Sequence, residues 1–240
     1  KRQDLGTLCV FQDITEREKI LREMEQIDRL TSLGELAAGM AHEIRNPLTG
    51  IKTSGQVLLR KFGEEPQIQG LIQRIIREID RLDDLIKNLL QFARPASSNI
   101  KKVNLLSIIN DVSFLLQKFL NQKKVQLSLS GIEKAIFVFD ENHLKQIIFN
   151  LMLNAIKAIN EGGKIEIKYE ENKLIISDNG HGMAEEEIRR CFDPFYTTDP
   201  QGTGLGLAVV YRLVQQNKGN IQVYSKVNKG TTFIIEGGVE

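Results

Sequence analysis

"KIEIKYEENKLIISDNGHGM", residues 164–183, decides the fold. In its first part Ile165, Ile167 and Tyr169 alternate with charged residues, and "KLIIS" follows, so two strands are read that belong to a sheet with one wet face. The same alternation recurs upstream in "VQLSLS", where Val125, Leu127 and Leu129 are the apolar positions, and "IFVF" comes next. Downstream, "NIQVYS" and "TTFIIE" flank the turn-rich "KVNKG" and predict a closing hairpin. Helical patterns lie between the strands, near residues 105–120, at 142–159 and in "AVVYRLVQQ". Antiparallel strands with intervening helices imply an α/β sandwich with its helices on one face, and not a doubly wound parallel sheet.

Outward from this domain, "RPASSN", residues 94–99, combines a proline with small polar residues and reads as a linker. Before it, the chain from about Thr15 to Phe62 is helix-compatible, with Leu33, Leu36, Met40, Ile44, Leu48 and Ile51 on one face. "FGEEPQ" supplies a helix-to-helix turn. The second helix repeats Ile68, Ile72, Ile75, Ile79, Leu82, Ile86 and Leu89 at coiled-coil spacing. Leu71, Ile76, Leu85 and Leu90 widen that stripe beyond what one partner helix covers, so two hairpins are expected to pair as a four-helix bundle in a homodimer. The resulting division is 15–94 for the hairpin, 95–100 for the linker and 101–240 for the sandwich.

Bulk composition narrows the function. A net charge of +1 over 240 residues, with both signs interleaved, gives no electrostatic reason to expect direct nucleic-acid binding. Cys9 and Cys191 are far apart and fit no metal-ligand spacing, so both read as reduced thiols of a cytoplasmic chain. No apolar run is long enough to span a membrane, and an opening Lys1 marks this as a piece of a longer protein whose upstream part is not visible.

Two glycine clusters carry the chemistry. "DNGHGM", residues 178–183, follows a strand, and "GTGLGL", residues 202–207, opens onto a helix, where bare amides and a helix dipole suit phosphate. Neither completes a Walker A or a dinucleotide fingerprint, and either alone is equally a turn. "NLMLNAIKAI" shifts the balance, because Asn150, Asn154 and Lys157 share one helical face amid apolar residues. An amide oxygen can ligate Mg²⁺, an ammonium can meet phosphate, and Asp178 at a strand end can accept from an exocyclic amine.

"AHEIRNPL", residues 41–48, places His42 opposite the apolar face of the first helix. A zinc site fails on spacing, since HExxH would need histidine where Asn46 stands. A solvent-facing histidine is the bland alternative, with His143 and His181 read as surface or satisfied polar groups. The sharp reading is a neutral imidazole that attacks phosphorus, with Glu43 accepting the ring proton and fixing the tautomer. Pro47 is expected to bend the helix just past this site.

"HEIRNPL", "NLMLNAIKA", "DNGHGM", "FDPFYTT" and "GTGLGL" resemble, in order and spacing, the H, N, G1, F and G2 boxes of sensor histidine kinases of two-component systems, most closely the nitrogen-regulatory type. "GTLCVFQDITERE" is similar to the last strand and exit of a PAS sensor domain, taken as residues 1–14. The resemblance implies a dimerisation and phosphotransfer hairpin followed by a Bergerat-type ATP-binding domain. It implies that Asn150 holds Mg²⁺, that Asn154 and Lys157 hold the phosphates, and that Asp178 takes the adenine amine. Gly180 and Gly182 would let the backbone approach the nucleotide. Gly202, Thr203, Gly204, Leu205 and Gly206 would belong to a mobile lid that wraps the phosphates. It further implies phosphorylation of His42, transfer to an aspartate of a response regulator, and a dephosphorylating activity in which Asn46 orients water. Asp199 departs from the pattern, since many relatives carry lysine there; a lid-lysine contact to phosphate loses its support and ATP affinity is expected to be weaker. The rival readings are a nucleotide-binding switch or a protein-serine kinase with the same ATP domain.

Overall fold

The computed structural model describes residues 46–61, 66–93, 99–199 and 202–237. His42, Glu43 and the positions upstream of Asn46 lie outside the described residues, as does the effect of Pro47 on the preceding turn.

Helices α1 (residues 46–61) and α2 (Pro66–Ala93) form the hairpin. Ile72 and Ile79 are buried, and Gly55 of α1 packs against Ile72 and Ile76, so part of the apolar stripe is used within the hairpin. A Lys52–Asp80 ion pair of 2.6 Å ties the two helices in register. Ile51, Val57, Leu58, Leu71, Ile75 and Leu82 remain exposed. The coiled-coil seam therefore divides: alternate members close the hairpin, and the others leave an apolar face outside it.

The second unit begins with β1 (Ile100–Asn104), which pairs antiparallel with β3 (Ile136–Asp140) in a two-stranded ribbon. Between them come α3 (Leu105–Gln122), started by an Asn104 side chain that accepts from the Ser107 amide at 3.0 Å, and β2 (Gln126–Ser130). After β3 follow α4 (Glu141–Ala158), β4 (Lys164–Glu170), β5 (Lys173–Asp178), α5 (Glu185–Arg190), α6 (Gly206–Gln216), β6 (Asn220–Lys226) and β7 (Gly230–Glu236).

The main sheet has the order β2-β4-β5-β7-β6. All of its neighbours are antiparallel except β2 and β4, which run parallel and are joined by a crossover through β3 and α4. Ile165, Ile167, Leu174, Ile176, Phe233 and Ile235 point into the core from alternate positions, while the residues between them are half-buried or exposed. That core is completed by the buried stripes of α3, α4 and α6. The α/β sandwich with helices on one face thus matches the expectation, except that its sheet is mixed. Among the described residues no helix is long and apolar enough to cross a membrane.

Candidate active site

Helix α4 is the spine of the site, and both of its ends are tied down. At its N-terminus Asp140 Oδ1 accepts the amides of Asn142 (2.9 Å) and His143 (3.0 Å), while Oδ2 accepts that of Asn99 (2.8 Å). Burial pushes the Asp140 carboxyl up, but these amide donors outweigh it and hold it below the ordinary range. Asn217, fully buried at the end of α6, accepts the Asp140 amide at 2.8 Å. Its amide hydrogens go to Leu213 O (2.7 Å) and His143 Nδ1 (2.9 Å), which makes Nδ1 an acceptor and the buried imidazole neutral. Burial, partly opposed by Asp140, lowers the His143 pKa in keeping with that state. His143 is therefore a satisfied core residue.

At the other end, Lys123 Nζ donates to the carbonyls of Ile156 (2.8 Å), Lys157 (3.0 Å) and Ile159 (2.8 Å). An ammonium on the last carbonyls of a helix satisfies orphan acceptors and opposes the negative dipole end.

A cavity of about 1010 Å³ opens along α4. Asn150, Asn154, Lys157, Asp178, Gly182, Gly202, Thr203, Gly204, Leu205 and Gly206 all line it; Gly180 does not. Asn142 and Gln146 extend the row of carboxamides backwards at the same four-residue spacing. Those two and Lys123 were missed in the sequence, although the spacing of the asparagines continued through Gln146 to Asn142 was a signal for the first pair.

Asp178 lines the cavity as a half-buried carboxylate. Burial raises its pKa, and the amides of Gly180 and Thr231 pull the other way. Gly180 N–H reaches Oδ1 at 2.8 Å, so Gly180 acts through Asp178 rather than by facing the cavity. Asn150 Nδ2 donates to Gly206 O at 3.3 Å, which leaves Oδ1 as its atom for a cation. No group of three His, Cys, Asp or Glu side chains that could hold a metal exists among the described residues. A cation here would take the Asn150 oxygen, ligand oxygens and water, which is how Mg²⁺ is usually held.

Most of the glycines serve the protein's own packing. Gly182 has φ +66, and a Cβ there would lie 2.1 Å from Lys226 O; Gly204 has φ +68, and a Cβ would lie 2.3 Å from the Phe195 carbonyl carbon. Gly206 differs, since a Cβ there would meet only the Asn154 amide, at 3.9 Å, within the cavity wall. The Leu205 amide donates to Thr203 Oγ1 at 3.3 Å, and α6 starts without a side-chain cap, so its first amides suit an anion. Phe195 is exposed and held at φ +64, a conformation that is costly for an aromatic residue and sits beside the loop that meets the cavity. Cys191 is buried, and burial pushes its thiol up to about 12. Asn46 is exposed on α1.

The cavity thus offers a half-buried carboxylate, a row of carboxamides with an ammonium at its end, and a loop of amides opening onto a helix. Comparison with known proteins identifies the family. Residues 139–237 match the family described as "Histidine kinase-, DNA gyrase B-, and HSP90-like ATPase", and residues 32–98 match "His Kinase A (phospho-acceptor) domain". The signal transduction histidine-protein kinase AtoS of Escherichia coli (strain K12) is 38% identical over 96% of this chain and 39% of its own length. The chain spans between 31% and 56% of the curated relatives it matches. Among solved structures, the catalytic domain of the histidine kinase ThkA is 30% identical, with TM-score 0.52 over 58% of this chain and 95% of that one. ThkA in complex with the response regulator TrrA gives TM-score 0.63 at 29% identity, over 93% of this chain and 67% of that one. Full-length ShkA in complex with AMPPNP gives TM-score 0.70 at 25% identity, over 85% of this chain and 45% of that one.

Proposed function

This chain belongs to the histidine kinases, and on that premise we propose that it binds ATP in the α4–α6 cavity, phosphorylates His42 and passes the phosphoryl group to an aspartate of a response regulator. One observation carries the reading: a single cavity gathers Asp178, Asn150, Asn154, Lys157 and the glycine loop before α6, in a chain whose preceding hairpin carries "HEIRN".

In this reading Asp178, held by the amides of Gly180 and Thr231, accepts the exocyclic amine of adenine. Asn154 and Lys157 meet phosphate oxygens, and Asn150 Oδ1 joins the coordination of Mg²⁺, which supplies charge neutralisation. A neutral His42 nitrogen attacks the γ-phosphorus; the bond to the bridging oxygen breaks and its electron pair leaves with ADP. Glu43 takes the proton from the other ring nitrogen. Asn46, one turn further on, orients water for dephosphorylating the partner. The exposed apolar face of the hairpin pairs with a second copy, giving a homodimer. Residues 15–94 form the phosphotransfer unit, 95–100 the linker and 101–240 the ATP domain. Residues 1–14 end a PAS-like sensor, and the protein is of the nitrogen-regulatory type, with these parts in the cytoplasm. ThkA's complex with a response regulator supports the partner class.

Incubation with γ-labelled ATP and Mg²⁺ tests this. Acid-labile label that disappears in His42→Gln is the expected result; no label, or label indifferent to that change, sinks the reading and favours a nucleotide switch or a serine kinase.

A further inference from the structure

Three lysines and no arginine line the cavity among the described residues, and all three ammonium groups are already engaged. Lys123 holds three main-chain carbonyls, and Lys145 holds Asp111 (2.9 Å) and Glu141 (3.3 Å) near the start of α4. Lys157 Nζ meets Asp199 Oδ2 at 3.2 Å. The first two attachments belong to the framework of α3 and α4. The third crosses the cavity, from the last turn of α4 to the loop after Tyr196.

That loop presents Asp199 in a built turn. The Asp199 amide donates to Thr197 Oγ1 (3.1 Å), the Thr197 hydroxyl donates to Asp199 O (3.1 Å), and the Gly202 amide donates to the same carbonyl (2.8 Å).

We infer that Asp199 is a resident anion of the nucleotide site: its carboxylate occupies Lys157 in place of a phosphate, and nucleotide phosphates must displace it to bind. This rests on the reading of Lys157 as a phosphate ligand. A carboxylate and a phosphate cannot share one ammonium without repelling each other, so the residue sets how strongly the site favours phosphorylated over unphosphorylated nucleosides. Both side chains are about half exposed, so the pair itself is weak and displaceable rather than a permanent block. Asp199 then acts as a threshold on nucleotide charge, not as a lock.

Calorimetric titration of the whole chain with adenosine, ADP and ATP, in EDTA and in Mg²⁺, tests this with Asp199→Asn, Lys157→Met and the double variant. Asp199→Asn should tighten ADP and ATP about 3- to 10-fold, from the lost competition and repulsion. Adenosine affinity should not move, and the gain should vanish in the Lys157→Met background. Unchanged ATP affinity in Asp199→Asn overturns the proposal, as does a gain that persists without Lys157. Weaker ATP binding in Mg²⁺ alone overturns it too, by making Asp199 a cation ligand. If neither adenosine nor ATP binds any form, the nucleotide reading fails and takes the proposal with it; ATP binding with no Asp199 effect removes the proposal alone.

Discussion

Gly180 N–H donates to Asp178 Oδ1 at 2.8 Å and the Thr231 amide bonds the same half-buried carboxylate, so part of its accepting capacity is used inside the protein before any ligand arrives. In the proposed function the remaining capacity takes an amine donor, and replacing the carboxylate should be costly. Asp178→Asn is expected to weaken adenosine and ATP binding at least about tenfold, the scale of a lost charged hydrogen bond. Because burial raises the Asp178 pKa, its charge is lost at higher pH than for an ordinary aspartate. Affinity should therefore fall on acidification, beginning above the usual carboxylate range, and the variant should lack that fall. The sign for stability is opposite: a raised folded pKa means the charged group costs stability at neutral pH, so Asp178→Asn should not lower the thermal midpoint.

Lys123 holds three carbonyls at the end of α4. Lys123→Met keeps an apolar stem of similar length and removes the donors. A loss of about 1–2 kcal/mol in stability is expected, measurable as a lowered urea midpoint.

His143 gives the domain an acid sensitivity of its own. Its folded pKa is lowered by burial, so below about pH 6.5 the unfolded chain takes up a proton that the folded chain resists. Stability should be fully present above that pH and decline as pH falls below it. His143→Gln can still accept from Asn217 and cannot charge. Urea midpoints at pH 7.5 and 5.5 should converge in the variant and differ in the parent. Asp140, whose pKa is lowered, contributes in a separate window, losing its share only below the ordinary carboxylate range.

Gly204 and Gly206 should separate packing from binding. A Cβ at Gly204 meets the Phe195 backbone at 2.3 Å with φ at +68, so Gly204→Ala should lower the thermal midpoint by several degrees. A Cβ at Gly206 finds ordinary contact with Asn154 at 3.9 Å, so Gly206→Ala should keep the midpoint and weaken ATP binding.

Strand β4 was readable because Ile165, Ile167 and Tyr169 alternate with charged residues within one segment, and β5 because its short apolar run at residues 174–176 follows directly; both are local signals. The parallel union of β2 with β4 was not, since Gln126 pairs with Lys164 across an intervening strand and helix that leave no trace in either period. Strand β1 has one buried residue, Val103, and α5 has none, so neither carries the periodicity that would announce it. In the cavity, the residue types at Asn150, Asn154, Lys157 and Asp178 were enough to gather the site. The glycines marked loops, but whether Gly182 faces a ligand or Lys226 O depends on a hairpin more than forty residues away. The Lys157–Asp199 pair is likewise a product of folding, invisible to any pattern along the chain.

Asn99, the first described residue after the hairpin, gives its amide to the carboxylate that also caps α4. The tether between the two units is thus moored to the first turn of the helix that carries the carboxamide row. That same helix is 18 residues long and carries Lys157 in its last turn. The mooring of the chain that enters the domain and the ammonium that meets Asp199 belong to opposite ends of one helix.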